Sequence, residues 1–395
     1  MVKPYYQDDN GIIYQGHVLD ILKQMEPESV QCVVTSPPYL GLRDYGLEPQ
    51  IWEAPDLVDC PYKCEHEWGN SLSPRGQSGW HTFEHKYHSP GSHKTTLGSK
   101  LKNEPEIPAG HGQFCQLCGA WRGSLGLEPT SELYVKHMVE IFREVRRVLR
   151  KNGTLWLNLG DSYAANRSYQ VTDSKHISVG NTKSSQVPLN LKPKDLCGIP
   201  WRVAFALQND GWWLRSDIIW SKNNPMPESV TDRPTRSHEY IFLLTKSARY
   251  FFDQDAVREN ATWERWGKQT CIKKYRGIKP IDMDSLENRR SLGRNVRTVW
   301  TISTQPFPDA HFATFPPKLV EPCIKAGSRK GDIVADLFGG SGTVGMLAEQ
   351  LGRKWVIIDL SEKYCEMAKK RILSKAWGPQ EEDQANWIQE DLLNV

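Results

Sequence analysis

No apolar run in the 395-residue sequence approaches 18 residues; hydrophobic residues make up 38% and mean hydropathy is −0.57. A membrane-spanning helix needs about 20 such residues, so no membrane partner is expected. The opening Met1-Val2-Lys3-Pro4-Tyr5 lacks the apolar segment of a secretory leader, and a cytoplasmic, reducing compartment is expected. Excess charge of one sign is also small, at +3 overall, too little to identify a polyanionic partner by itself. The Gly-Lys-Ser/Thr of a triphosphate loop is missing as well. Nine cysteines in a reducing compartment point to metal binding or packing before disulfides.

What is present begins with Val30-Gln31-Cys32-Val33-Val34, a short apolar strand running into Thr35-Ser36-Pro37-Pro38-Tyr39. Open α/β sheets place their ligand sites at such carboxyl ends. Two prolines fix φ and lack N–H groups, so the turn is stiff and its carbonyls are not satisfied locally. The Ser36 hydroxyl and Pro37 carbonyl can accept from an –NH2 group, and Tyr39 offers a ring face for a base to stack on. That combination suits modification of an exocyclic amine on a nucleobase. Taken alone, the motif also reads as a Pro-Pro turn beside a packed tyrosine.

A second unit lies near the other end. Ile333–Leu337 is a strand pattern leading into Phe338-Gly339-Gly340-Ser341-Gly342-Thr343, then a helix-like stretch to Leu351, then the apolar run Trp355–Ile358 ending at Asp359. Strand, glycine turn, helix, strand and acid form a nucleoside-binding βαβ pattern, with the acid placed to receive ribose hydroxyls. An adenosine bearing methionine fits better than a triphosphate.

Together these motifs resemble the S-adenosylmethionine-dependent DNA amino-methyltransferases, in the permuted β group whose catalytic motif precedes the cofactor motif. The resemblance covers nearly the whole chain. It implies a Rossmann-like α/β fold with a mostly parallel central sheet, circularly permuted motif order, a zinc-knuckle insertion and a small target-recognition region. Ser36, Pro37, Pro38 and Tyr39 match the catalytic motif, and Asn158 and Asp161 in Asn158-Leu159-Gly160-Asp161 match its supporting active-site motif. Asp336, Phe338, Gly340, Gly342 and Thr343 match the methionine-side loop, and Asp359 the ribose acid. Phe312 and Thr314, in His311–Pro317, match an additional cofactor-binding segment. His17 departs from the pattern, since many relatives carry Gly-Asp there. Ser-Pro-Pro-Tyr is typical of N4-cytosine enzymes and Asp-Pro-Pro-Tyr of N6-adenine enzymes, so the resemblance implies N4-cytosine first and N6-adenine as the alternative. Double-stranded DNA, a homodimer partner and a cognate restriction endonuclease are the partners it implies. A non-catalytic nucleic-acid-binding module on the same scaffold is the reading from another class, and the complete motifs argue against it. A C5-cytosine enzyme would need a nucleophilic cysteine such as Cys323 after Pro322. Leu319, Val320, Cys323 and Ile324 instead recur at helical spacing, which predicts packing.

The remaining chain divides into 1–59 and 119–257 as catalytic core, with a mobile loop at 162–188. A zinc-binding insertion is read at 60–118, target recognition at 258–300, and the cofactor-binding part of the core at 301–395. Cys115-x2-Cys118-Gly119 has the form of a zinc knuckle, and Cys60, Cys64 and His66 offer three candidates for the two remaining positions. The resemblance implies Cys64 and His66, since similar insertions in some relatives keep the Cys-x-His pair, with Cys60 as the substitute. His81, His85, His88 and His93 read as exposed loop residues. Arg258 to Arg297 holds 11 Lys and Arg against five Asp and Glu, a composition suited to phosphate contacts. Leu133–Arg150 reads as an amphipathic helix ended by Asn152-Gly153. Helix over 201–209 and strands over 212–220 and 240–245 follow from their periodicity.

Overall fold

The computed structural model describes residues 2–41, 46–53, 64–69, 112–164, 191–259, 293–305 and 316–374. Phe312, Thr314, Cys60, the four loop histidines and most of 162–188 and 258–300 lie outside the described residues. In chain order the strands are β1 (Tyr6–Gln7), β2 (Gly11–Gln15), β3 (Val30–Thr35), β4 (Gln50–Trp52), β5 (Trp68–Gly69), β6 (Gln113–Cys115), β7 (Trp121–Gly123), β8 (Leu149–Leu159), β9 (Trp213–Ser221), β10 (His238–Thr245), β11 (Val299–Thr301), β12 (Ile333–Asp336) and β13 (Lys354–Asp359). The helices are α1 (Val18–Gln24), α2 (Ser131–Val148), α3 (Ile199–Asn209), α4 (Pro317–Gly327), α5 (Thr343–Gln350) and α6 (Glu362–Ser374). None of the helices in the described residues is long and apolar enough to cross a membrane.

Two compact units emerge: residues 1–37, 143–159 and 207–395 form the first, and 38–142 with 160–206 the second. The first is built on a nine-stranded sheet in the order β1-β2-β13-β12-β3-β8-β10-β9-β11. From β2 to β8 every pairing is parallel, while β10 is antiparallel to both of its neighbours, β8 and β9. Parallel strands are covered on both faces, which is why β3 is buried along its whole length and reads as an unbroken apolar run. Helix α4 packs against β3 and β8, α5 against β12 and β13, and α6 against α5 and β2.

Cys323 faces this core from α4, 1% exposed, with burial holding its thiol well above the usual range. Cys32 and Cys365 are buried likewise. A thiol kept protonated and dry cannot attack a base, so all three are packing residues.

The α2 periodicity is correctly read, but its end is not where Asn152-Gly153 suggested. Val148 closes the helix and β8 starts at Leu149. Val30 pairs with Leu149 and Cys32 with Thr154, so Arg150–Gly153 bulge out of the β3–β8 ladder. The turn-forming pair therefore makes a bulge in a strand rather than a helix cap.

The second unit has a small antiparallel sheet in the order β4-β7-β6-β5. His137 is stacked between the indoles of Trp52 and Trp121, at 4.3 and 5.3 Å between centroids, and its Nδ1 lies 2.8 Å from the buried Glu128 carboxylate.

Candidate active site

Sheet topology brings the first unit's motif residues together. Because β8, β3, β12 and β13 are consecutive parallel neighbours, their carboxyl ends share one edge. Ser36 and Pro37 follow β3 there, Asn158 lies one residue from the end of β8, and Asp336 and Asp359 are the last residues of β12 and β13. Four stretches far apart in sequence thus meet at one edge.

Hydrogen bonds join them. Thr35 Oγ1 donates to Asp336 Oδ1 at 2.7 Å, which links β3 to the Gly-rich unit across 301 positions. The Ser36 hydroxyl donates to Asn158 Oδ1 at 3.5 Å. Asn158, 3% exposed, sends its Nδ2 to the Tyr240 carbonyl at 3.0 Å and to Glu239 Oε2 at 3.3 Å. The structure thus joins Ser36 to Asn158, a bond the motifs did not specify, and the parts of Thr35, Glu239 and Tyr240 were not anticipated.

In the glycine turn, Phe338 donates its N–H to Asp336 Oδ1 at 3.1 Å and Gly340 its N–H to Asp359 Oδ2 at 2.8 Å. Gly342 takes φ +76° as the cap of α5, and a Cβ there would come within 2.7 Å of Ala368 Cα on α6. Only glycine meets both conditions. Thr343 is buried as the first residue of α5, and its Oγ1 accepts from Arg371 at 2.9 Å, as does Ser341 Oγ at 2.8 Å. Burial draws the Arg371 guanidinium down to about 10. Arg371 ties α6 to the turn; from sequence it reads only as one of several basic residues in an amphipathic helix.

Both acids are held in unusual states. Burial pushes Asp336 up to about 7, with the Thr35 and Phe338 hydrogen bonds working the other way and the Asp359 charge adding to the rise. Burial likewise pushes Asp359 up to about 6 against three backbone donors. Buried carboxyls of this kind favour a ligand that brings a cation or hydroxyl donors. An adenosine carrying a methionine has both, in its ammonium and its ribose hydroxyls. The residues present therefore fit that group.

Within the second unit, Pro38 and Tyr39 continue the catalytic turn. Tyr134 donates its hydroxyl to the Pro38 carbonyl at 2.9 Å, Ser162 donates to Leu40 O at 3.3 Å, and Gly41 N–H reaches Gly126 O at 2.8 Å. The Tyr39 ring lies against Gly160, where any Cβ would collide with it. That contact explains the glycine of Asn158-Leu159-Gly160-Asp161. Asp161 accepts from the amides of Ser162, Gly198 and Ile199 at 3.0 to 3.1 Å, so its carboxylate organises the entry to α3.

The same unit assembles Cys64, His66, Cys115 and Cys118, whose ligand atoms all lie within 4.8 Å of one another. Cys64 and Cys115 Sγ are 3.8 Å apart, and Cys118 Sγ is 3.4 Å from His66 Nδ1. Backbone amides of Leu117 and Cys118 point at Cys115 Sγ at 3.4 Å, and that of Ala120 at Cys118 Sγ at 3.5 Å. The pairing of Trp68 with Cys115 on β5 and β6 brings the two halves of the cluster together.

Comparison with known proteins adds an independent line. A family model described as DNA methylase matches residues 30–370. The chain is 46% identical over 364 residues to Type II methyltransferase M.SmaI of Serratia marcescens, spanning 92% of this chain and 91% of that one. It is 39% identical over 361 residues to Type II methyltransferase M.XycI of Xanthomonas campestris pv. cyanopsidis, spanning 91% and 87%. Among solved structures, the PvuII DNA methyltransferase (cytosine-N4-specific) is similar in fold, with a TM-score of 0.52 at 18% identity over 99% of this chain and 95% of that one.

Proposed function

This chain belongs to the DNA methylase family of the N6/N4 type, the S-adenosylmethionine-dependent DNA amino-methyltransferases, and from that premise we propose that it methylates the exocyclic N4 of cytosine in double-stranded DNA. The observation carrying the choice of base is Ser36, a neutral hydroxyl at the head of the Pro-Pro-Tyr turn, where an aspartate would suit the N6-adenine alternative.

The cofactor supplies an electrophilic methyl group on a sulfonium. Everything else falls to the protein. A cytosine rotated out of the helix costs a few kcal/mol, offset by stacking on Tyr39 and by hydrogen bonds to its amine. The Ser36 oxygen and the Pro37 carbonyl accept hydrogen bonds from the two amine hydrogens, which draws the nitrogen lone pair out of conjugation with the ring. The nitrogen bonds the methyl as the carbon–sulfur bond breaks, and afterwards gives up one proton to water. Orientation then supplies much of the rate, with no covalent enzyme intermediate. Asp336 and the 338–343 turn hold the methionine end, and Asp359 the ribose. Phe312 and Thr314 add to that set in this reading, and the basic stretch within 258–300 contacts DNA. The Type II designation of the relatives supports a cognate restriction endonuclease as companion and action at one short sequence. Sequencing DNA from cells expressing the protein, by a method that separates N4-methylcytosine from N6-methyladenine, should find N4-methylcytosine at one recurrent site. Finding N6-methyladenine there would reverse the assignment.

We further infer structural zinc at Cys64, His66, Cys115 and Cys118. A tetrahedral ion with Zn–S bonds of about 2.3 Å and a Zn–N bond of about 2.0 Å sets sulfurs about 3.8 Å apart and sulfur to nitrogen about 3.5 Å apart. The Cys64–Cys115 and Cys118–His66 separations of 3.8 and 3.4 Å fit that geometry. The ion would fasten the ends of the 60–118 insertion. Purified, chelator-free protein should carry about one zinc per chain by elemental analysis, and Cys115→Ser should lose it together with thermal stability. A content well below one removes the inference.

A further inference from the structure

The hydrogen bonds that begin at Ser36 continue across the antiparallel half of the first unit's sheet. Asn158 near the end of β8 is paired with Ile241 on β10, which sets its amide beside the Tyr240 carbonyl and the Glu239 side chain. Glu239 in turn is paired with Trp220 on β9, two residues before Lys222. The Lys222 ammonium forms an ion pair with Glu239 Oε1 and sits 4.4 Å above the Trp220 ring. Both side chains are less than one-fifth exposed. Ser36, Asn158, Glu239 and Lys222 thus form a row ending in a charge.

The row has a polarity. A carboxylate and a carbonyl accept only, and both face Asn158 Nδ2, so the amide must turn its Oδ1 toward Ser36. That oxygen draws the Ser36 proton to itself. With its proton committed to Asn158, Ser36 Oγ meets a substrate N–H as an acceptor and not as a donor. We propose that Glu239, held by Lys222, is a positioning residue that sets the direction of the Ser36 hydroxyl through Asn158 and so keeps Ser36 an acceptor. The inference rests on the reading of Ser36 as the amine acceptor.

Glu239→Gln tests it without changing size. The ammonium of Lys222 attracts the new amide oxygen, which leaves an –NH2 group facing Asn158. Either two donors then oppose each other, or Asn158 turns over and presents N–H to Ser36. The second outcome occupies Ser36 as an acceptor, and the first pushes the Asn158 amide off the position from which it orients Ser36. The kcat for transfer of labelled methyl should fall about 10- to 100-fold, the scale of outer hydrogen-bond partners of a reacting group, while the Kd for S-adenosylmethionine stays within about twofold. Adding Lys222→Met to Glu239→Gln frees the amide oxygen to face Asn158 again, and kcat should recover at least about fivefold. Loss of a merely structural ion pair would give no such recovery. In a Ser36→Ala background, measured by single turnover, Glu239→Gln should cost less than about twofold.

If Ser36→Ala is inactive while Glu239→Gln stays within about twofold of the parent, the positioning role is wrong and the Ser36 reading stands. Absence of recovery with Lys222→Met, or an equal loss in the Ser36→Ala background, also overturns it. A fully active Ser36→Ala overturns both.

Discussion

Ser36→Ala should cut methyl transfer about 100- to 1,000-fold while leaving S-adenosylmethionine binding within about twofold, the range expected for removing one pre-aligned polar contact made in the transition state. The amine of a nucleobase is a poor nucleophile because its lone pair is shared with the ring. An acceptor that pulls on an N–H makes the nitrogen more pyramidal, and this help is greatest as the new bond forms. Alanine removes the acceptor and leaves the Pro37 carbonyl alone. It also removes the Ser36 proton that Asn158 Oδ1 accepts at 3.5 Å in the parent protein. The Thr35–Asp336 bond at 2.7 Å is untouched by the change, so the cofactor side keeps its shape. Single-turnover transfer of labelled methyl, paired with calorimetric titration of the cofactor, separates the two effects. Unchanged turnover would sink the acceptor mechanism.

Asp359→Ala should have the converse signature, raising the cofactor Kd about 10- to 100-fold with a far smaller change in kcat at saturation. Hydrogen bonds to a charged partner contribute about 1.5–3 kcal/mol each, and the variant removes those to the ribose hydroxyls. It also frees the amides of Gly340 and Ser361, each 2.8 Å from the carboxylate, so the turn loosens. The pH dependence carries a sign. Burial raises Asp359 to about 6 and Asp336 to about 7, so at pH 5 the ligand-free chain holds both largely protonated. A ligand bringing an ammonium and hydroxyl donors favours the ionised forms, and its binding must release protons below those values. Affinity should therefore rise from pH 5 to about 8 and then level. Asp336→Asn, which cannot ionise, should flatten the upper part of that rise. A binding curve flat with pH in the parent protein would show that the ligand does not engage these carboxyls.

Legibility in the sequence followed how local the determining physics is. The strand into Ser36, the glycine turn and the acid at Asp359 are contiguous patterns, and each stands at a carboxyl end of the sheet. Cys323 was separable from a nucleophile because helical spacing of apolar residues is a local signal. Glu239 and Lys222 were not, since they join the row only through the registers of β10 with β8 and with β9. Asn152-Gly153 misled for a related reason. Turn chemistry marks a departure from regular backbone, and whether it ends a helix or bulges a strand depends on the neighbouring β3. The Cys64, His66, Cys115 and Cys118 set was readable as Cys-x2-Cys plus Cys-x-His, but its closure depends on the pairing of β5 with β6.

One bond at the sheet edge bears on how the protein moves. In the proposed mechanism Thr35 precedes the residue that meets the amine, and Asp336 opens the turn that meets the methionine, so the hydroxyl between them joins the two holders directly. In that mechanism this bond would let the two strand ends shift together as the sheet flexes, carrying both reacting partners with them instead of stretching the gap between them. Loss of that coupling would broaden the spread of donor–acceptor distances without altering their mean. Such a change would emerge as a steeper temperature dependence of the chemical step, even in a protein whose ground-state structure and affinities were intact.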